Sequence, residues 1–378
     1  MRILHINPGN LYGGIEKILT ILAKRRYLCP EMQSEFAICF PGKFQEELES
    51  LGIVLYRLGS VRGRYPWTVW QARKNLSKLL RSQNFSAVCC HSTWSVAIFG
   101  KVVKSLKIPL IFWQHDAVSA KKLHRLERWA ASIIPDQIIC NSKFTQSTLP
   151  RLYPHASSEV FYCPIPEPTQ YLSSEELYQF RADQNIKSDE IVITMIARWE
   201  SCKGHDNLID SLAQLSDNPY WQCWLVGGCQ RPKEQEYQNS ILAKAKQYGI
   251  RDRIHLLGHR SDIDRILQAS DIFCQPNQSP DTFGIVFVEA LYNGLPVITT
   301  AMGGPVEILT SNCGYLVQPG NIPQLTQILR QLIDSKESRA RFGLAGKQRA
   351  RELCLPEIQI KKLHDLISQS IRVPLSSL

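Results

Sequence analysis

Residues 279–300 read Ser279-Pro-Asp-Thr-Phe-Gly-Ile-Val-Phe-Val-Glu-Ala-Leu-Tyr-Asn-Gly-Leu-Pro-Val-Ile-Thr-Thr300, which predicts an apolar helix followed by a short strand. Glu289 stands inside the predicted helix with apolar residues on both sides. Burying an unpaired charge costs on the order of several kcal/mol, so this carboxylate must be paired, bound by neutral donors, or matched to a ligand rich in hydroxyl groups. Asp281, eight residues earlier, lies at the mouth of the same helix.

Outward from this stretch, short apolar strands alternate with amphipathic helices, a pattern typical of parallel sheets. The predicted strands are residues 2–6, 35–40, 87–91, 109–113, 137–140, 191–196, 221–226, 254–257, 272–275 and 296–300. Prolines interrupt residues 153–189, where we place a domain boundary. The predicted fold is α/β, with two doubly wound Rossmann-like domains facing each other across a cleft. Ligands bind beyond the carboxyl ends of such strands, so the cleft is the expected site.

Composition agrees with an ordinary globular chain. Its 378 residues suffice for two domains, and 44% are hydrophobic and 21% charged. The first eight residues lack the pattern of a signal peptide, and lysines interrupt the most apolar region, residues 94–113. The twelve cysteines form no C-x-x-C pair, so we interpret them as small buried hydrophobes in a reducing compartment. These features predict a soluble cytoplasmic protein.

Positive charge is concentrated in one part of the chain. Residues 51–150 hold 15 Lys and Arg against 3 Asp and Glu, whereas residues 151–378 hold 23 against 25. Such a field attracts anionic partners, which include phosphorylated substrates, anionic membranes and nucleic acids. Nucleic acid is the least expected of these because no recognisable reading motif accompanies the charge.

Three short segments offer further site residues. Gly13-Gly14 leads from the first strand into a helix, where backbone amides can approach an anion or simply form a tight turn. Arg198 and Lys203 follow a strand on one loop and can both reach a diphosphate, although a solvated surface pair is the alternative. His115 ends an apolar strand, where either a catalytic or a structural histidine is compatible with the sequence.

Asp262-Ile-Asp264 is similar to a metal-binding D-x-D signature, but its position before a predicted helix favours helix capping. We therefore predict no metal and no cofactor.

Together, the order and spacing of these segments resemble the retaining glycosyltransferases of the GT-B fold, and within them glycosyltransferase family four, also called glycosyl transferases group 1. The resemblance covers nearly the whole chain and is strongest from Asp281 to Gly294, continuing through 295–309 and 313–320. It implies an N-terminal Rossmann-like domain at 1–167 that binds the acceptor, and a C-terminal one at 168–355 that binds a nucleotide-diphosphate sugar. Residues 356–378 are predicted to form a helix that packs back toward the first domain.

The resemblance also implies residue roles. Glu289 would hold the ribose hydroxyls of the nucleotide, and Asp281 the hydroxyls of the donor sugar. Arg198 and Lys203 would neutralise the diphosphate. The other implied site residues are Phe283, Gly284 and Ile285 at the helix start, Gly13 and Gly14 over the phosphates, and His115 near the transferred sugar.

Departures from the family pattern concern the donor sugar. Asp281 is one methylene shorter than the usual Glu, Thr282 replaces a common Gly or Pro, and Ala197 replaces the usual Gly before Arg198. A carboxylate whose reach is shorter by roughly one C–C bond, about 1.5 Å, can grip a different sugar hydroxyl.

The basic first domain has two aromatic segments, residues 65–81 and 121–129. Both can pack their apolar faces on the sheet and solvate their charges. Alternatively, they rest on an anionic membrane at its inner face and receive a lipid-linked acceptor.

The resulting prediction is a metal-independent retaining hexosyltransferase that acts on a saccharide or glycolipid acceptor in envelope or extracellular polysaccharide synthesis. Two alternatives remain open at this stage. One is a nucleotide-sugar epimerase of the same fold, and the other is a non-catalytic protein that binds sugar nucleotides.

Overall fold

The computed structural model describes residues 1–62, 64–119 and 122–372. The chain forms two compact units, of which the first comprises Met1–Pro166 with Cys354–Leu378 and the second comprises Glu167–Leu353. The C-terminal helix therefore belongs to the first unit. Lys121, in the basic segment 121–129, and residues 373–378 of the predicted C-terminal helix lie outside the described residues.

The first unit is built on a parallel sheet flanked by helices. Within the described residues the strand order is β3-β2-β1-β4-β5-β6-β7. The strands are β1 Arg2–Asn7, β2 Gln33–Ile38, β3 Leu55–Arg57, β4 Ala87–Cys90, β5 Leu110–Gln114, β6 Gln137–Cys140 and β7 Glu159–Val160. The helices are α1 Gly14–Lys24, α2 Lys43–Ser50, α3 Pro66–Ser82, α4 Thr93–Ser105, α5 Arg125–Ala131 and α6 Lys143–Thr148, with α15 Pro356–Arg372 at the end of the chain.

The second unit repeats the plan with the order β10-β9-β8-β11-β12-β13. Its strands are β8 Ile191–Ile196, β9 Trp221–Val226, β10 Ile254–Gly258, β11 Ile272–Gln275, β12 Val297–Thr300 and β13 Gly314–Val317. Its helices are α7 Ser174–Ala182, α8 His205–Ala213, α9 Pro232–Gln247, α10 Ile263–Gln268, α11 Ile285–Tyr292, α12 Pro305–Ile308, α13 Ile322–Asp334 and α14 Lys336–Cys354, which runs into the first unit.

Both strand orders are doubly wound, which confirms the prediction of two Rossmann-like domains. Each order reverses direction once, between β1 and β4 in the first sheet and between β8 and β11 in the second. Helices leave opposite faces of the sheet at such a point, so the loops that follow the two strands diverge and open a crevice. The predicted site residues of the second unit lie on the loops and the helix that follow β8 and β11, and those of the first unit follow β1 and β5.

The central strands are buried along most of their length, as expected for parallel sheets covered on both faces. This burial explains why their apolar runs were recognisable in the sequence. The sequence prediction missed β3, β7 and β13, and all three lie at sheet edges, with partly exposed residues. Within the described residues, no helix has both the length and the apolarity required to cross a bilayer.

Candidate functional site

Two loops of the second unit meet at the reversal point of its sheet. Residues 197–204 follow β8 and residues 276–284 follow β11, and these two strands are neighbours. The Gln278 amide donates to the Cys202 carbonyl at 2.8 Å, which joins the loops through their backbones. Both loops carry predicted site residues. The loops lie close together because the strands that precede them are adjacent in the sheet.

Gly204 explains how closely the loops approach. Its φ is +85°, a conformation that L side chains rarely adopt, and a Cβ atom there would lie 1.8 Å from the Pro276 carbonyl oxygen. Only glycine therefore fits beside this backbone. The requirement explains the glycine that directly follows Lys203.

Lys203 and Asp281 form an ion pair across the two loops, with 2.8 Å between Lys203 Nζ and Asp281 Oδ2. About a fifth of each side chain is exposed, so solvent screens the pair only in part. Asp281 Oδ1 also accepts the Thr282 amide at 3.0 Å. The family resemblance implies separate ligands for the two residues, a diphosphate and a sugar. In the structure each is the other's partner.

Arg198 lies on the same loop as Lys203 and is exposed. Its guanidinium contacts the Glu200 carboxylate at 2.7 Å, a partner that the sequence pattern does not reveal. A hydrogen bond anchors this loop: Trp199 Nε1 donates to the Gly227 carbonyl at 2.9 Å. A Cβ atom on Gly227 would lie 2.0 Å from the Ala197 carbonyl oxygen, so Gly227 makes room for the strand end that carries Ala197.

The start of α11 is fixed by a second glycine. Phe283 is buried, and Gly284 caps the helix with φ +92°. A Cβ atom on Gly284 would lie 2.3 Å from the Phe287 ring. The first residue of α11, Ile285, is half-buried. Backbone N–H groups in this first turn carry the positive end of the helix dipole, which suits an anion.

A further segment, residues 302–305, supports this loop and received no role from the sequence. The Gly304 amide donates to the Asp281 carbonyl at 2.8 Å. Cβ atoms on Gly303 and Gly304 would lie 2.4 Å and 2.5 Å from the carbonyl oxygens of Asp281 and Thr282. The adjacent glycines were a visible signal of this close backbone contact.

The burial expected for Glu289 is only partial, because the residue is half-buried. Helix α11 packs Phe287, Val288, Ala290, Leu291 and Tyr292 into the core. Ile285 and Glu289 are four residues apart and share the less buried side of the helix. Flanking apolar residues in the sequence did not reveal this side, since neighbours along a helix point in different directions.

In the first unit, Gly13 and Gly14 are exposed at the start of α1. The Gly13 amide donates to the Glu16 carboxylate at 2.9 Å, the backbone arm of a capping-box pattern. An anion at Gly13 would have to displace this carboxylate. The φ of Gly13 is −147°, an extended conformation open to any residue.

His115 follows β5 and is buried, with 4% of its surface exposed. Burial lowers its pKa to about 3, so the ring is neutral at physiological pH. His115 Nε2 lies 3.0 Å from His91 Nδ1, and His115 Nδ1 is buried with no hydrogen-bond partner in the part of the chain that the structure describes. Trp113 stacks on the ring with 5.1 Å between centroids. His91 follows the neighbouring strand and is the weaker candidate from the sequence, and the structure places it beside His115.

The comparisons with known proteins cover both units. The sequence model described as "Glycosyl transferases group 1" matches residues 178–349, and that described as "Glycosyltransferase Family 4" matches residues 28–167.

Two curated relatives illustrate the likeness in sequence. The chain is 30% identical over 167 residues to the lipopolysaccharide glucosyltransferase WaaG of Escherichia coli, a match that covers 43% of this chain and 42% of WaaG. It is 25% identical over 283 residues to the D-inositol 3-phosphate glycosyltransferase of Corynebacterium glutamicum, covering 68% of this chain and 66% of that enzyme. The chain thus spans less than half of the first of these relatives.

Among solved structures, HepE of Anabaena, crystallised in complex with UDP, matches with a TM-score of 0.87 at 21% identity. The match covers 98% of this chain and 100% of HepE. At this identity the likeness shows the fold alone, which is GT-B. The two family models match the sequence itself and identify the family. The chain belongs to the glycosyl transferases group 1, glycosyltransferase family 4, of the GT-B fold.

Proposed function

We propose that the protein transfers a hexosyl group from a nucleotide-diphosphate sugar to a saccharide or glycolipid acceptor. The observation that carries the proposal is the meeting of two loops at the reversal point of the second sheet. One loop supplies Arg198 and Lys203, and the other supplies Asp281 and the start of α11. Two cations beside a helix N-terminus suit a diphosphate.

Each remaining site residue has a place in the proposed donor complex. Glu289, on the less buried side of α11, binds the ribose hydroxyls, and Phe283, Gly284 and Ile285 present the first turn of the helix to the diphosphate. Asp281 contacts the donor sugar once a ligand attracts Lys203 away. In the first unit, we assign Gly13 and Gly14 to the phosphates and His115 to the transferred sugar.

The proposed chemistry is metal-independent. Breaking the anomeric C–O bond leaves a nucleoside diphosphate and an oxocarbenium-like sugar. Arg198, Lys203 and the α11 dipole can stabilise the departing charge, and one such preorganised group is worth about 3–4 kcal/mol. We propose retention of the anomeric configuration, with the leaving phosphate as the base. Turnover unchanged by a chelator, with a retained anomer in the product NMR spectrum, is the expected outcome.

The proposed setting is envelope or extracellular polysaccharide synthesis at the inner face of the membrane. Support comes from the name of the lipopolysaccharide glucosyltransferase relative and from helix α3. Ala72, Leu76 and Leu80 of α3 are buried. Trp67 and Trp70 are 65% and 61% exposed, so they lie away from the buried side of the helix.

The exposed side of α3 combines aromatic rings and positive charge. Trp67, Trp70, Lys74 and Lys78 recur at spacings of three, four and four residues, so they lie along one stripe of the helix. Lys74 Nζ lies 5.1 Å from the centre of the Trp70 ring. Tryptophan at the headgroup level and lysine near anionic phosphates are typical of interfacial helices.

Vesicle sedimentation tests the membrane contact. We expect binding to vesicles with anionic lipid, weaker binding to neutral ones, and a loss of binding when Trp67 and Trp70 are replaced by Ala. Tyr178 and Tyr220, exposed in the second unit, give matched control replacements. Equal binding of both variants, or none by the unaltered protein, would remove the membrane from the proposal.

The nucleotide site is tested by a thermal-shift panel of UDP-, GDP- and ADP-sugars, since a ligand that binds only the native state raises its melting temperature. Glu289→Gln should abolish most of the shift. Glu236→Gln changes an exposed carboxylate on α9 and serves as the control. If Glu289→Gln binds the nucleotide as tightly as the unaltered protein, the assignment of the ribose site is wrong.

The epimerase alternative predicts turnover of the donor without any acceptor. The family matches disfavour it, and incubation of the donor alone decides it. A non-catalytic binding protein would show donor shifts and no transfer to any acceptor tested.

A further inference from the structure

Three buried histidines form one hydrogen-bonded row across the reversal point of the first sheet. His5 lies within β1, His91 follows β4, and His115 follows β5. His5 Nδ1 lies 2.9 Å from His91 Nε2, and His91 Nδ1 lies 3.0 Å from His115 Nε2. The exposed fractions of the three are 0%, 0% and 4%. The function proposed above uses only His115.

The two ends of the row differ. At one end His5 Nε2 lies 3.3 Å from the Ser34 hydroxyl, and Ser34 is half-buried. At the other end His115 Nδ1 is buried and has no hydrogen-bond partner among the described residues. A buried polar atom without a partner is costly, and it fits a site where a ligand supplies the missing bond.

A neutral imidazole has one donor nitrogen and one acceptor nitrogen, so each bond in the row needs a donor on one side only. If His5 carries its proton on Nδ1, then His91 Nε2 must accept and His91 Nδ1 must donate to His115. His115 then also carries its proton on Nδ1. In the opposite state every proton is on Nε2, and His5 donates to Ser34. Any mixed state loses a buried hydrogen bond.

We propose that His5 and His91 are positioning residues that couple the tautomer of His115 to their own, so that the tautomer shared by the row decides whether His115 Nδ1 donates to or accepts from a hydroxyl group of the ligand. This inference rests on the proposed role of His115 beside a sugar. Burial lowers the pKa of His5 and of His115 to about 3, which keeps both rings neutral and preserves this logic at physiological pH.

The ring positions support the same inference. His5 stacks on Phe36 with 5.3 Å between centroids, and His91 lies between His5 and His115 at 5.1 Å and 5.3 Å. Packing therefore holds each ring in place. A ring cannot rotate to restore a hydrogen bond when the tautomer at one end of the row changes.

Cys89 offers a competing explanation for two of the rings. Within the described residues, the ligand atoms of His5, Cys89 and His91 lie within 4.8 Å of one another, close enough to hold a metal ion. A metal would bind one ring nitrogen of His91, and because both nitrogens of His91 are hydrogen-bonded within the row, it would break the row. The two explanations are mutually exclusive, which makes them separable by experiment.

The test is long-range proton–nitrogen NMR of the histidine rings at neutral pH, in which protonated and unprotonated nitrogens are distinct. The expected result is one shared tautomer for His5, His91 and His115. Different tautomers within the row, or displacement of the His5 and His91 signals by one equivalent of zinc, would overturn the proposal.

Two variants at the remote end separate positioning from packing. His5→Asn keeps a polar atom at the Nδ1 position, and His5→Phe fills the space without a hydrogen bond. We expect the tautomer signals of His115 to persist in His5→Asn and to change in His5→Phe, although neither substitution touches His115. Cys89→Ala removes a buried neighbour outside the row and should leave the signals as they are. If the His115 signals are the same in His5→Phe as in the unaltered protein, the tautomers of His5 and His115 are not coupled.

Kinetics provide the second measurement. His5→Phe should lower kcat/KM by roughly fivefold to tenfold, the effect of about one hydrogen bond, and His5→Asn should restore most of it. The NMR result does not depend on turnover. A mixed set of tautomers in a protein that still binds the donor would overturn this inference alone, whereas a shared tautomer without donor binding would overturn the proposed function alone.

Discussion

At the residue scale, the pair formed by Lys203 and Asp281 yields a prediction about product binding. Asp281→Asn removes the negative charge beside Lys203 and leaves the cation for the diphosphate. We expect the nucleoside diphosphate to bind up to about fivefold more tightly, the range of a partly exposed ion pair, while turnover of the sugar nucleotide falls. Calorimetry with the diphosphate and steady-state kinetics measure the two effects.

The converse substitution provides the comparison. Lys203→Ala removes the cation and leaves the Asp281 carboxylate facing the diphosphate, so both binding and turnover should decrease. Weaker diphosphate binding in Asp281→Asn would mean that Asp281 supports the phosphate site instead of competing for Lys203.

The same pair shows what the sequence could provide at this scale. Residue types and their order were sufficient to select Arg198, Lys203, Asp281 and Glu289 as candidates. Their partners were not predictable. The ion pair of Lys203 and Asp281 joins residues 78 positions apart, and it forms because β8 and β11 are adjacent in the sheet. The half-burial of Glu289 depends likewise on which side of α11 meets the core.

At the element scale, the start of α11 depends on Gly284. Gly284→Ala should destabilise the second unit by about 2–4 kcal/mol, because the added Cβ atom meets the Phe287 ring in addition to the cost of positive φ. Nucleotide binding should weaken as the first turn shifts. Urea unfolding and calorimetry check both parts of the prediction.

Gly320 is a matched control, since its φ is +74° and a Cβ atom there would meet nothing within 4 Å. Gly320→Ala therefore measures the backbone strain alone, about 1 kcal/mol. Equal destabilisation by the two substitutions would show that the Phe287 ring moves aside at no cost.

Edge strands mark the limit of the sequence at this scale. The ten predicted strands include every interior strand of both sheets. A strand that is buried on both faces has a continuous run of apolar residues, and this run is visible in the sequence. Strands β3, β7 and β13 contain three, two and four residues with a partner on one side only. Such short, half-solvated segments carry no pattern that distinguishes them from loops.

At the scale of the whole molecule, buried histidines should make stability depend steeply on pH. The pKa values of His5, His115 and His205 are lowered to about 3 by burial, and those of His91 and His255 are lowered as well. The unfolded chain binds protons near pH 6.5, whereas the folded chain does not. Stability is therefore fully present above pH 6.5 and is lost as the pH falls toward 3.

The size of the loss differs between the units. Each such histidine contributes up to about 1.4 kcal/mol per pH unit, and the first unit contains three fully buried ones. The second contains His205 and the half-buried His255. Hydrogen exchange measured by mass spectrometry between pH 6.5 and 5 should show faster loss of protection in the first unit. His205→Phe should reduce the pH dependence of protection in the second unit alone. If protection depends only weakly on pH, and equally in both units, then these histidine rings accept protons while the units stay folded.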